Sequence, residues 1–310
     1  MRKKSWSFLS PGDVVDIIAP ASYSPQEKFQ DGINWLKHIG LNPRVPNDII
    51  KPDLFFAAPL DIQFKHLKDA LYSDSKAIWC LRGGYGSMRL IPHLIKLKPP
   101  KRPKLFVGFS DITSLHLFLS QSWGWPVIHG RTISQLSIAL KQTKDRAFLK
   151  DLIFGRKESK TFKNLVPLNK SATQALSLSG VITGGNLRMI QSSLGTPWEI
   201  RPKGKILFIE DVSERGYSLD RMFEQLIQAR LFDNRIKAII FGDFTDGKEK
   251  NGNDLTSDAL LRFASRVPYP VLKGLPAGHG EFNYPVPFNV NCQLFLGKKA
   301  AITFHYGGKN

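Results

Sequence analysis

Ser110 stands where an apolar run meets an amphipathic one, in Phe106-Val-Gly-Phe-Ser-Asp-Ile-Thr-Ser-Leu-His116. A serine on a sharp strand-to-helix turn projects its Oγ away from a sheet, and the helix that follows offers free N–H groups where an oxyanion would form. Ile112 takes the place of the second glycine of Gly-x-Ser-x-Gly, and the segment alone also reads as an ordinary helix N-cap with Asp111 in the first turn. A serine nucleophile needs a base, and the base needs a carboxylate to hold its tautomer. Of seven histidines, His279 in Leu275-Pro-Ala-Gly-His-Gly280 lies in a turn flanked by glycines, where a side chain can be aimed at a substrate. His129, closing Val127-Ile-His, is the second candidate; His38, His66, His93, His116 and His305 read as structural, with His66 and His93 on helix surfaces. The strand-like Lys205-Ile-Leu-Phe-Ile-Glu-Asp211 ends in two acids, which serve either a site or a turn. With Glu210 the chain order is Ser, Glu, His, the order of hydrolases built on such an elbow.

Leu81-Arg-Gly-Gly-Tyr-Gly-Ser87 is a glycine-rich turn after an apolar run. It lacks the Gly-x-Gly-x-x-Gly spacing of a dinucleotide loop and the Lys-Ser/Thr of a phosphate loop, so close backbone approach to a substrate oxygen fits it equally well. Glu214, Tyr217, Asp220 and Arg221 read as site rim or as first-turn helix residues. No His-Glu-x-x-His, Cys-x-x-Cys or acidic cluster at ligand spacing is present, so no metal is expected.

These residues need a scaffold. Apolar runs at 14–19, 77–81 and 105–109 alternate with helical-period segments at 28–39 and 62–71, which implies a parallel sheet. The polar, aperiodic stretch 155–164 marks a boundary, giving an N-terminal α/β domain at 1–160, a linker at 161–175 and a smaller mixed α/β domain at 176–310. There a helix is expected at 187–194, strands at 205–209 and 238–241, and short strands over the last 30 residues. Cys80 and Cys292 lie in strand-like runs without partners at ligand spacing, and read as buried small hydrophobes.

The net charge of +18 divides as +10 and +8 between the halves cut at residue 155. A nucleic-acid arm or a polybasic anchor would concentrate it. Its densest stretch, Lys96-Leu-Lys-Pro-Pro-Lys-Arg-Pro-Lys104, lacks the interleaved aromatics that stack bases, so no nucleic-acid partner is expected. The basic start is followed by too short an apolar stretch for a signal peptide, and no run approaches a membrane span; a cytoplasmic protein is the default.

Six motifs form a recognisable set: Gly12-Asp13 leading to Ala19-Pro-Ala-Ser22, Arg82-Gly-Gly-Tyr-Gly86, Gly108-Phe-Ser-Asp-Ile-Thr113, Gly184-Gly-Asn-Leu187 with Leu194-Gly-Thr-Pro197, Ile209-Glu-Asp-Val-Ser-Glu214, and Gly278-His279. Together, and nearly end to end, they resemble the LD-carboxypeptidases, a family of serine peptidases. The resemblance implies an N-terminal flavodoxin-like domain bearing the nucleophile, a C-terminal domain bearing acid and base, and an active site between them. It implies Ser110 as nucleophile, His279 as general base, Glu210 as its orienting carboxylate, and the backbone N–H groups of Gly84 and Asp111 as oxyanion hole. Arg82, Gly83, Tyr85 and Asn186 would contact substrate. The family releases D-alanine from cytoplasmic murein tetrapeptides during wall recycling, needs no cofactor, and is often dimeric, so a homodimer is an expected state. Gln63, Arg131 and Asn289 depart from the family's customary residues, and the related branch that hydrolyses microcin C-type peptidyl nucleotides is the alternative. From a different class, a basic binding module would keep the fold without catalysis.

Overall fold

The computed structural model describes residues 6–137, 143–232 and 236–306; the basic start at 1–5 lies outside them. The chain divides into two compact units. Among described residues, the first holds 6–158 and 284–287, and the second 159–283 and 288–306.

The first unit runs β1 (Val14–Ile18), α1 (Gln26–His38), β2 (Asn42–Arg44), α2 (Leu60–Tyr72), β3 (Ala77–Cys80), α3 (Ile91–Leu94), β4 (Leu105–Gly108), α4 (Thr113–Ser122), β5 (Val127–His129) and α5 (Lys144–Ile153). Strands β3 and β4 are buried at every position, as strands covered on both faces must be. Helix α1 starts after Pro25, carries Glu27 in its first turn and Lys37 in its last, and buries Phe29, Ile33 and Leu36 on one stripe. The sheet order β5-β4-β3-β1-β2 is the flavodoxin-like 2-1-3-4-5, with parallel pairing of β1 to β2 and β3, β3 to β4 and β4 to β5. The carboxyl ends of these strands therefore share one edge, and β1, β3 and β4 lead there into Ser22, the 82–86 turn and Ser110. His66, expected on a helix surface, is instead buried with its Nε2 2.8 Å from Asp48. Its face of α2 also buries Gln63, Leu67, Ala70 and Leu71.

The second unit contains β6 (Ser159–Lys163), β7 (Val166–Pro167), α6 (Lys170–Thr173), β8 (Ser177–Asn186), α7 (Leu187–Ser193), β9 (Ile206–Val212), α8 (Gly216–Gln228), β10 (Ala238–Thr245), α9 (Thr256–Arg266), β11 (Val271–Lys273), β13 (Asn291–Phe295) and β14 (Ala301–His305). Between β11 and β13 lies β12 (Val286–Phe288), which joins the first unit's sheet beside β5. The order is β6-β14-β13-β8-β9-β10-β11-β7, parallel from β8 to β11 and antiparallel on both flanks. Residues 161–175, read from the sequence as a linker, carry the end of β6 together with β7 and α6; β6 is an edge strand paired with β14, with mostly exposed polar side chains and Phe162 buried. Both cysteines are free and buried. No helix among the described residues is long and apolar enough to cross a membrane.

Candidate active site

Ser110 has φ +63°, in the left-handed region that non-glycine residues avoid at a cost of about 1–3 kcal/mol. It follows Phe109, in extended backbone, and opens a single 3-10 turn that runs into α4. Ile112, not Ser110, is the N-cap of α4, which replaces the capping alternative with a strained elbow. Residues 105–109 and 111–120 are all buried, while Ser110 is half-buried, so the turn lifts the serine out of the layer that holds it.

The 82–86 turn lies against this serine. A Cβ on Gly83 would stand 3.0 Å from Ser110 Cβ and 3.3 Å from its Oγ. Gly84 has φ +99°, and its neighbour Tyr85 donates its N–H to Ser22 Oγ at 3.1 Å. The buried Asp111 carboxylate accepts the N–H groups of Ser87 at 2.8 Å and Gly86 at 3.4 Å, while Ser87 Oγ donates to Asp111 O at 2.7 Å. Burial pushes the Asp111 pKa up, against the pull of these bonds. The side chain of Asp111 thus ties the glycine turn to the elbow, a role distinct from the backbone N–H expected of it. On the β1 side, Gln63 Nε2 donates to Ala19 O at 2.8 Å and Ala21 O at 2.9 Å and so holds the loop before Ser22.

Gly83→Ala is expected to lower kcat by about 10–10², because the new methyl group displaces the serine by a few tenths of an ångström while the turn keeps its anchors. Steady-state kinetics beside a thermal melt separate this from unfolding; wild-type kcat would contradict it. Arg82 is exposed and donates from Nη1 to Tyr23 O at 2.9 Å; Tyr85 is exposed and packs on Phe56 at 5.4 Å between ring centroids. His129 is fully buried beside Phe109 and His116, with burial pushing His116 down to about 3, so both sit in the interior of the first unit.

In the second unit, β9 delivers Glu210, whose side chain is wholly buried, and its Oε2 lies 2.6 Å from His279 Nδ1. With Nδ1–H donating, Nε2 is the nitrogen that carries the lone pair. Gly278, at φ +127°, leads into His279, and a Cβ there would lie 2.8 Å from Glu210 Oε2; only glycine lets the turn rest on the carboxylate. Gly278 N–H donates to Asn283 Oδ1 at 3.1 Å. Burial pulls the His279 pKa down, but the Glu210 hydrogen bond and charge, aided by Asp211 and Asp243, leave it raised above 6.5. Asp211 is raised to about 7 by burial and by the adjacent Glu210 charge. It accepts from Asn186 Nδ2 at 2.8 Å and from Arg188 N–H at 3.0 Å. Asn186 also caps α7 through Met189 N–H, so the side chain expected to meet substrate holds the end of β8 beside Glu210. Glu214 pairs with Arg188 and accepts from Ser218 Oγ. The sequence did not single out Asp243, which stands beside this histidine. Among the described residues no group of histidine, cysteine and acidic side chains could hold a metal.

Residues 15–130 match the LD-carboxypeptidase N-terminal domain and residues 179–294 the LD-carboxypeptidase C-terminal domain. A putative carboxypeptidase of Rickettsia conorii is 42% identical over 292 residues, covering 92% of this chain and 89% of the relative. This chain belongs to the LD-carboxypeptidase family. The muramoyltetrapeptide carboxypeptidase of Oxalobacter formigenes has a solved structure that matches this LD-carboxypeptidase family member with a TM-score of 0.80 at 28% identity, covering 94% of this chain and 98% of that one. The microcin C7 self immunity protein in complex with aspartyl sulfamoyl adenosine matches with a TM-score of 0.82 over 98% of this chain and 99% of that one; at 18% identity it shares the fold alone.

Proposed function

We propose that this protein is a serine LD-carboxypeptidase that releases the terminal D-alanine of murein tetrapeptides, with Ser110, His279 and Glu210 acting together as one triad. The observation that carries this reading is the strained φ of Ser110 at a strand-to-helix elbow, in a chain whose second unit holds a histidine on a buried glutamate. Ser110 Oγ attacks the carbonyl of the L,D-amide while His279 Nε2 takes its proton. The tetrahedral oxyanion faces the N–H groups of Gly84 and Asp111, each contributing about 10²–10³ in rate if aimed at the developing charge. His279 then returns the proton to the leaving amine of D-alanine, and the acyl group stays on Ser110 as an ester. Water, deprotonated by the same nitrogen, cleaves the ester and restores the serine. Glu210 holds the tautomer and stabilises the imidazolium. Arg82 and Tyr85, exposed on the glycine turn, meet the remainder of the peptide, and none of these steps calls for a cofactor.

A base must be neutral to accept a proton. Because the Glu210 interaction raises His279, kcat/KM is expected to fall with decreasing pH along a limb whose midpoint lies above 6.5. A midpoint below 6.5 would contradict that environment. The substrate is tested by offering L-Ala-γ-D-Glu-meso-diaminopimelate-D-Ala and, separately, a glutamyl sulfamoyl nucleoside to the purified protein. Free D-alanine and tripeptide, with the nucleoside intact, support the reading. Cleavage of the nucleoside alone moves the protein to the microcin C-type branch, and salt-sensitive polyanion binding without cleavage of either makes it a binding module.

A further inference from the structure

Strand β10 pairs with β9 in register at Phe241 with Ile209 and again at Phe244 with Asp211, so Gly242 and Asp243 together stand opposite the single residue Glu210. This is a bulge, the device by which a strand re-aims a side chain. From it, Asp243 N–H donates to Ala277 O at 2.9 Å, and the Asp243 carboxylate accepts the N–H of Gly280. The two bonds bracket Gly278 and His279. Both flanking glycines fit this arrangement: a Cβ on Gly242 would run into Ala277 O, and one on Gly280 would lie 2.6 Å from Asp243 Oδ2.

We propose that Asp243 is the positioning residue for His279, clamping the 277–280 turn from both sides and presenting a second carboxylate to the imidazole. The proposal rests on His279 being the general base. Glu210 fixes one ring nitrogen, but a ring is aimed only if its backbone is held, and Asp243 holds the backbone. Among the described residues, the charged groups of this unit that act on His279 include Glu210 and Asp211 from β9 and Asp243 from β10. Burial raises Asp243 itself to about 6, against the pull of the Gly280 N–H and with the Glu210 charge adding to the rise. Above that pH Asp243 is a carboxylate and supports the imidazolium that forms when Ser110 is deprotonated; below it, that support is lost together with the base.

The test compares full-length Asp243→Asn and Asp243→Ala with wild type by NMR titration of the His279 ring in ligand-free protein and by kcat and KM on the tetrapeptide. The asparagine variant keeps an acceptor for Gly280 and loses the charge, so the His279 midpoint and the acid limb of kcat/KM are expected to fall by about half a unit or more, with KM little changed. The alanine variant loses both, and kcat is expected to drop a further tenfold or more, roughly what a misaimed base costs. A His279 titration in Asp243→Asn that superimposes on wild type, or full kcat in Asp243→Ala, overturns the proposal. Should Ser110→Ala retain full activity, the triad reading fails instead, and the ring titration still judges the clamp.

Discussion

Ser110→Ala is expected to lower D-alanine release by about 10⁴-fold or more, since removing the nucleophile of a triad costs nearly the whole of its catalysis. The loss should fall on kcat, because Arg82, Tyr85 and the glycine turn are untouched. Alanine inherits the same left-handed backbone at position 110, so the variant should melt within a few degrees of wild type. Mass spectrometry of the intact protein quenched during turnover provides a second readout. Wild type should carry the tripeptide acyl group and Ser110→Ala should not. Full release by the variant would remove Ser110 from the chemistry.

Glu210→Gln is expected to cost about 10³–10⁴ in kcat while leaving the fold in place, the size of effect seen when a triad carboxylate becomes an amide. The amide can donate to Nδ1, which puts the proton on Nε2 and leaves the proposed base with no lone pair to accept one. Two further consequences separate this from general damage. The negative charge that outweighs burial at His279 disappears, so its titration should move below that of wild type. Asp211, raised to about 7 partly by the Glu210 charge, should titrate lower. An active Glu210→Gln variant with an unchanged His279 titration would mean that the 2.6 Å contact does not govern the base.

The triad candidates were legible because each chemistry demands a residue type in a recognisable setting: a serine after an apolar run, acids at the end of another, a histidine between glycines. The parallel order of the first unit followed from alternating periodicities. What stayed hidden depends on contacts far apart in sequence. Asp243 is inconspicuous in the sequence because Gly-Asp after Phe241 reads as the end of a strand, whereas the strand continues to Thr245 through a bulge. Asp111 looked like a first-turn helix acid, and only the approach of residues 86 and 87 gives its carboxylate a structural task. The polarity of 155–164 reads as a boundary, but within it 159–163 pair with β14 as an edge strand. His66, with Lys65 before it and Lys68 two places after, turns inward on α2 to meet Asp48.

Glycine placement carries part of the same lesson. Gly83 and Gly278 lie in quite different motifs, yet each is the place where a backbone turn rests on a proposed catalytic side chain. The sequence displays both glycines without saying what they approach. The charge of +18, spread over both halves, has no part in any step proposed here.

The most direct measurement is mass-spectrometric comparison of the products from two tetrapeptides that differ only in the configuration of the terminal alanine. With the L,D-linked peptide, the tripeptide and free D-alanine should appear in equal amounts and at a rate that Ser110→Ala abolishes, while the L,L-linked peptide should remain intact. Equal cleavage of both, or cleavage at any other bond, would contradict a serine LD-carboxypeptidase.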